Sequence, residues 1–483
     1  MRRILGPCVA AIAAILPGAA TSAIAEGKSP QPSVIFILAD DLGYGELGCF
    51  GQTKIRTPNI DRMAAEGMRF TNFYCGSTVC APSRCALMTG KHLGHATVRD
   101  NMARGPGLEG NHPMQPGTIT VAQLLKQAGY ATAIIGKWGL GMPEDHSSPL
   151  DFGFDHHYGY LCQRMAHSYY PPYLWRDNRQ EPLEGNPPYD HLYGHPGRIQ
   201  PSGKTYAHDL FVADALDWVR RHKSGPFFLY LAFTIPHISL QVPADSLAEY
   251  RGKWPETPLT NSKHYANCEA PRATYAAMIT RMDRDIGRLM AELKQLGLDD
   301  QTLVFFASDN GACFADAGTD PDFFQSNGIL RGHKQDLYEG GIRTPLVARW
   351  PGRIKTGVTS SLIGAFWDVL PTFCELAGVP PPAGTDGLSI VPTLLGRAGQ
   401  KLHEYLYWEY HSGGRDQAVR FGDWKAVRNN VKKSPDSMPE LYDLARDPSE
   451  KSNVAAEHPE VAAKAAAYMK AAHSPCWEPK WNF

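Results

Sequence analysis

The sequence predicts an α/β protein on three observations: continuous apolar runs that each exit into a polar cluster, helical segments between them, and a composition fit for a large core. The runs at 34–39, 131–135, 227–233 and 303–307 show no polar alternation. That pattern fits strands buried on both faces, as in a parallel sheet covered by helices. The runs lead in turn to Asp40-Asp41, through Gly136 to Lys137, through Thr-Ile-Pro to His237, and through Ser308 to Asp309-Asn310. Ligands bind outside the carboxyl ends of the strands in such sheets, so the four clusters are expected to converge on one edge.

The intervening segments read as helices. Thr57-Pro58 ahead of Ile60-Asp-Arg-Met63 places a proline where a first helical residue would stand. Residues 271–297 carry Tyr275, Met278, Ile279, Met282, Ile286, Leu289, Met290 and Leu293 on one stripe, a long amphipathic helix. Past Gly378-Val-Pro-Pro-Pro382 the character changes. Residues 404–409, 417–421 and 424–428 read as short alternating strands, Gly413-Gly414 and Gly422-Asp423 supply turns, and 459–472 reads as a closing helix. The expected division is a main domain over 26–400 and a small antiparallel sheet-and-helix subdomain over 401–483.

The chain of 483 residues is 43% hydrophobic and 20% charged, so it can bury a sizeable core. Lys+Arg 48 against Asp+Glu 49 lacks the basic excess of a general nucleic-acid or membrane-surface binder. Arg2-Arg3, the apolar stretch 9–20 and Ala23-Ile24-Ala25 read as a secretory signal peptide over 1–25. Pro17 and Gly18 interrupt an apolar run already too short to span a bilayer. With no Asn-x-Ser/Thr acceptor in the chain, a bacterial periplasmic or secreted protein is expected. Apart from Cys8 in the leader and Cys80, eight cysteines remain: Cys49, Cys75, Cys85, Cys162, Cys268, Cys313, Cys374 and Cys476. An even number in an oxidising compartment permits disulfides, and burial in reduced form is equally open.

The stretch Cys80-Ala-Pro-Ser-Arg84, followed by Cys85-Ala-Leu-Met-Thr-Gly90, carries the most chemistry. Pro82 marks a helix start, which puts Cys80 at the N-terminal end, where free N–H groups and the helix dipole favour an anion. Arg84 adds a cationic fork one turn on, so an unmodified thiol here is expected to be an activated nucleophile. Asp40, Asp41, Asp309 and Asn310 offer three carboxylates and an amide oxygen, hard ligands suited to Ca²⁺ or Mg²⁺.

Cys80-Ala-Pro-Ser-Arg84 with Leu87-Met-Thr-Gly90 resembles the signature of the formylglycine-dependent (type I) sulfatases, an arylsulfatase-like family in the alkaline-phosphatase-like superfamily. Gly136-Lys-Trp138, Ser308-Asp-Asn-Gly311, Leu330-Arg-Gly-His-Lys334 and Tyr338-Glu-Gly-Gly-Ile-Arg343 follow in the family's order. The resemblance implies a large mixed sheet sandwiched by helices. It also implies oxidation of Cys80 to formylglycine by a separate maturation enzyme, and one Ca²⁺ held by Asp40, Asp41, Asp309, Asn310 and residue 80. In that family one hydroxyl of the hydrated aldehyde attacks sulfur, and the second then expels sulfate. Arg84 would hold the diol and the metal-binding acids, Lys137 and Lys334 the sulfate oxygens, and His237 would face the leaving oxygen as acid.

One departure stands out. The family commonly has His two residues after the Lys of Gly-Lys-Trp-His, and this chain has Gly139. His95, in Thr89-Gly-Lys-His-Leu-Gly-His95, is the candidate to fill that space. The stretch 159–197 is crowded with Tyr, His, Pro and Arg, so Arg164 and His167 are candidate contacts to a sugar ring. The function expected is hydrolysis of sulfate esters on carbohydrates. The alternatives are a phosphonate monoester or phosphodiester hydrolase of the same superfamily, and a catalytically inactive sulfated-glycan binder that retains Lys91, Lys137 and Lys334 as cations.

Overall fold

Ser33–Ala39 forms β1, and all seven of its residues are buried. A computed structural model describes residue 6 and residues 31–103, 109–187, 203–260 and 265–483. The expected signal peptide apart from residue 6, Cys8 included, and residues 188–197 of the aromatic stretch lie outside the described residues. After β1 come β2 (Met68–Phe70), β3 (Phe73–Tyr74), β4 (Ala131–Lys137), β5 (His156–Tyr160), β6 (Tyr173–Arg176), β7 (Arg179–Pro182) and β8 (Phe227–Ala232). The chain continues through β9 (Thr302–Ser308), β10 (Leu346–Arg349), β11 (Val358–Ser360) and β12 (Gly364–Ala365). It closes with β13 (Leu406–Tyr410), β14 (Asp416–Phe421), β15 (Trp424–Arg428) and β16 (Glu440–Asp443).

Ten strands make one mixed sheet in the order β11-β2-β10-β9-β1-β8-β4-β5-β6-β7. Its centre, β9-β1-β8-β4-β5, is parallel, while β10 and β6 run against their neighbours. The four apolar runs legible in the sequence are the four adjacent strands β9, β1, β8 and β4, so their polar exits share one edge. Side chains alternate along β1: Val34, Phe36 and Leu38 enter one core, and Ile35, Ile37 and Ala39 enter the other. The first core includes residues of the helices Cys80–Thr89, Val121–Gln127 and Val369–Ala377. The second includes residues of Pro58–Ala65, Ala207–Arg221 and Pro271–Gln295. This is the large helix-covered mixed sheet that the sequence resemblance implies.

The C-terminal segment forms a separate antiparallel sheet, β13-β14-β15-β16, backed by the helix Pro459–Ala472. Tyr407, Val419, Ala426, Leu441, Ala462, Ala465 and Met469 make its own small core. β16 was not anticipated as a strand, because its four residues are too few to show an alternation. Polar groups tie this sheet to the main body. Trp408 Nε1 donates to the Cys75 carbonyl at 3.0 Å, and Lys425 Nζ lies 3.1 Å from Glu339 Oε1 and 3.2 Å from Glu450 Oε1. Glu339 also accepts from Tyr74 at 2.7 Å, so the Tyr338-Glu-Gly-Gly motif holds the two sheets together.

Glu409, fully buried on β13, meets the main body through Arg99 and gathers its other partners within the C-terminal segment. His411 Nε2 lies 2.7 Å and His473 Nδ1 2.6 Å from its carboxylate, with Tyr407 and Arg99 also in reach. Burial alone would raise this carboxyl, but the hydrogen bonds from His411 and His473 and the charge of Arg99 bring it down from 4.5 to about 2. A carboxyl depressed on folding stabilises the protein above its unfolded pKa, and that contribution disappears as pH falls through the folded value. Glu409→Gln is therefore expected to cost about 3 kcal/mol near pH 7. In urea titrations, the gap between wild type and variant should close as pH falls from 4.5 towards about 2. A gap that stays constant across that window would contradict the assignment.

Candidate active site

Cys80 is the first residue of the helix Cys80–Thr89, all ten residues of which are buried. Its Sγ lies 3.3 Å from Asp40 Oδ1 and 4.0 Å from Asp41 Oδ1, at the exit of β1. Two sequence expectations are corrected here. The helix N-terminus is not fully free, because Asn101 Oδ1 accepts from the Ala81 N–H at 2.8 Å. The thiol is not activated either: burial, with Asp309 and Asp40 nearby, pushes it well above its ordinary value. A buried thiol facing carboxylates is a poor nucleophile.

Arg84, one turn along, is fully buried and forks onto Asp309 Oδ2 through Nε at 3.1 Å and Nη2 at 2.8 Å. Its Nη1 donates to the Lys137 carbonyl at 2.8 Å, and Nη2 lies 3.4 Å from Asp40 Oδ2. One side chain thus ties the exits of β9, β4 and β1. Lys137 Nζ pairs with Asp40, and Lys334 Nζ with Asp41 Oδ2 at 2.8 Å. His237, beyond β8, stands 3.6 Å from Asp41 Oδ2 and 3.3 Å from Lys334 Nζ. Its Nδ1–H donates to the Ile238 carbonyl, which leaves Nε2 as an acceptor facing Lys334. Cys80, Arg84, Lys137, His237 and Lys334 therefore come together with Asp40, Asp41, Asp309 and Asn310.

Electrostatics follow from this packing. Burial would raise the Asp40 carboxyl, but Lys137, His237, Arg84 and Lys334 hold it far below the usual carboxylate range. Asp309 is raised, by burial and by its neighbour Asp40, against the pull of Arg84. Burial, reinforced by Lys334, keeps His237 well below its ordinary value and hence neutral. Three buried carboxylates face three fixed cations. A divalent ion added to this balanced set would leave two positive charges in excess, which suits an anionic sulfate group.

The donor set fits such an ion. Asp40, Asp41, Cys80 and His237 bring one ligand atom each within 4.8 Å of one another. Asn310 donates through Nδ2 to Asp41 Oδ1 at 2.7 Å, while its Oδ1 is buried with no hydrogen-bond partner. An orphaned amide oxygen between carboxylates is what a hard cation would satisfy. Oxygen donors suit Ca²⁺ better than the thiol or the imidazole, so Asp40, Asp41, Asp309 and Asn310 could hold it.

A cleft of about 260 Å³ opens over this cluster, and Arg164, His167, Tyr265, His237 and Lys334 are among its lining residues. His167 stacks on His237 at 4.9 Å and meets Tyr265 at 5.4 Å. Arg164 and His167 thus line the cleft over the site. His95 does not: its Nδ1 lies 2.9 Å from Asp386 Oδ1 and its ring stacks on His92. The space beside Gly139 belongs instead to Gln163, whose Nε2 would lie 2.2 Å from a Cβ built there. Lys91 is also elsewhere, paired with the Gly384 carbonyl. The nine described cysteines are all free, so no disulfide forms among the described residues. Asn101, Tyr265 and Gln163 were missed, since isolated polar or aromatic loop residues carry no periodicity. Gln163 stood in the aromatic stretch beside Arg164 and was passed over.

A buried cluster of carboxylates and cations around a helix start, at the exits of a helix-covered mixed sheet, is built to handle an anionic ester. The chain belongs to the sulfatase family and is a sulfuric ester hydrolase: the Sulfatase family model matches residues 32–379. A second model, N-sulphoglucosamine sulphohydrolase, C-terminal, matches residues 332–472. The chain is similar to N-acetylgalactosamine-6-sulfatase of Mus musculus, 31% identical over 92% of this chain and 86% of that one. It is also similar to arylsulfatase A of Homo sapiens, 34% identical over 89% of this chain and 85% of that one. Among solved structures, Ps i-CgsB in complex with k-i-k-neocarrahexaose superposes with a TM-score of 0.76 at 27% identity, covering 93% of this chain and 94% of that one.

Arg84 is the structural test of the cluster. Arg84→Met leaves Asp309 buried without its fork, so a loss of about 3–5 kcal/mol is expected in urea unfolding. Asp309→Asn added to that variant should restore much of the loss. A change under about 1 kcal/mol for Arg84→Met alone would show that the pair contributes no more than an exposed one.

Proposed function

We propose that this enzyme hydrolyses sulfate esters on carbohydrates, using a formylglycine made from Cys80 and one divalent cation, Ca²⁺. The observation that carries the reading is the placement of Cys80 Sγ 3.3 Å from Asp40 Oδ1, inside the ring of Arg84, Lys137, Lys334 and His237. A thiol there is inert, whereas the hydrate of a formylglycine would offer one hydroxyl to attack sulfur and another to release sulfate. Bound by Asp40, Asp41, Asp309 and Asn310, the cation supplies Lewis acidity beside residue 80. Maturation requires a separate formylglycine-generating enzyme.

The chain's own residues then divide the work. Arg84 fixes the strand exits and keeps Asp309 oriented. Lys137 and Lys334 now neutralise Asp40 and Asp41; with a cation in place their ammonium groups are available to sulfate oxygens. His237 Nε2 and Lys334 face each other at 3.3 Å, so the pair, rather than His237 alone, carries a proton towards the leaving oxygen. The carbohydrate assignment is supported by the relatives named for N-acetylgalactosamine sulfate and by the oligosaccharide complex of the structural neighbour. The aromatic and basic lining of Arg164, His167 and Tyr265 suits a sugar ring. Residues 26–400 are proposed as the catalytic domain and 401–483 as its supporting subdomain. Residues 1–25 are proposed to direct export to the periplasm or beyond; no described helix is long and apolar enough to cross a membrane.

Protein produced with the maturation enzyme should carry formylglycine at position 80 by intact peptide mass and release sulfate from sulfated monosaccharides. Cys80→Ala should lower that release about a thousandfold or more with the fold intact. Faster phosphate than sulfate release would favour the phosphoester alternative. Tight sugar binding without turnover, with residue 80 modified, would make the protein a binder.

A further inference from the structure

Gln163 lines the cleft together with His237 and Lys334, yet it is 8% exposed, and neither its Nε2 nor its Oε1 has a hydrogen-bond partner. It is the one buried amide among the described residues with both ends unpaired. Leaving both ends of an amide unsatisfied is costly, so such a side chain implies an occupant that the protein alone does not supply.

The surrounding chain is built to keep it there. The Gln163 N–H donates to Asn111 Oδ1 at 2.8 Å, and the Gly139 N–H donates to the Leu161 carbonyl at 3.1 Å. Gly139 adopts φ +77°, and a Cβ on it would lie 2.2 Å from Gln163 Nε2. The bare backbone at 139 and the amide at 163 therefore form one unit, two residues beyond Lys137.

The donor and acceptor inventory identifies the occupant. A sulfate group only accepts, so it could satisfy Nε2 while leaving Oε1 orphaned. An alcohol donates and accepts, and so matches both ends of an amide. We propose that Gln163, whose amide sits in the space that Gly139 leaves open, is a specificity residue that pairs with a hydroxyl of the substrate sugar. This rests on the reading of the protein as a carbohydrate sulfatase. The amide pairs fully only when a hydroxylated substrate is in place, so a sulfate ester without hydroxyls leaves it unsatisfied.

The test compares the matured enzyme with Gln163→Met, an apolar replacement of similar shape, on two substrates. These are the fastest-cleaved member of a sulfated monosaccharide panel and para-nitrophenyl sulfate, which has no hydroxyl. Gln163→Met should lower kcat/KM on the sugar about 10–100-fold, and leave the aryl sulfate within about twofold. Gly139→Ala, which pushes Nε2 aside, should shift the same ratio in the same direction. Equal losses on both substrates, or no loss on the sugar, would overturn the proposal while leaving the sulfatase reading intact. A wild-type enzyme that cleaves the aryl sulfate and no sugar in the panel would overturn the carbohydrate reading and this inference with it. Thermal unfolding of both variants at the wild-type temperature would show that the ratios do not arise from misfolding.

Discussion

The structure depends on the neutralisation of three buried carboxylates by three buried cations where four parallel strands end. Asp40, Asp41 and Asp309 could not be placed together in a dry site without Arg84, Lys137 and Lys334, because each unpaired buried charge costs several kcal/mol. Arg84 is the keystone, since its planar fork reaches Asp309 and the Lys137 backbone at once. A lysine could supply the charge but not that geometry. The helix Cys80–Thr89 is buried along its whole length in order to aim this one side chain, and residue 80 is delivered to the carboxylates by the same turn.

The same balance shapes the chemistry. With every acid matched by a base, the site has little affinity for an anion of its own. On the proposed reading, a cation taking the carboxylates would free the two lysines for an anion. The charge state of His237 follows as well. The burial and nearby Lys334 that keep it neutral also set it against that ammonium at the wall of the cleft. The C-terminal sheet is held to the main body through Trp408, Glu409 and Lys425, which reach Cys75, Arg99 and Glu339. Each is a polar tie that a purely apolar interface would not register so specifically.

Much of this was legible in the chain. β1, β4, β8 and β9 announced themselves because strands buried on both faces must be apolar throughout, and their exits named most of the cluster. The helix Pro459–Ala472 was read to the residue. β5 and β7 were not read: His156–Tyr160, inside the sheet, and Arg179–Pro182, at its edge, carry polar groups and show no apolar run. At the site, local sequence misjudged what depends on distant neighbours. The Cys80 thiol looked activated from its helix position, but Asp40 and Asp309, distant in sequence, reverse that effect. His95 looked available for the gap at Gly139, but Asp386, also distant in sequence, holds it elsewhere. Gln163 was invisible for the same reason, since an orphaned amide is defined only by what surrounds it.

The central claim is that this charge-balanced cluster exchanges its lysines for a divalent cation. Anomalous diffraction from crystals of the matured enzyme grown in Ca²⁺ tests it most directly. The account predicts one anomalous peak among Asp40, Asp41, Asp309 and Asn310, with Lys137 Nζ and Lys334 Nζ withdrawn from the carboxylates towards the cleft. An ordered site with no peak, and both lysines still paired to Asp40 and Asp41, would contradict it.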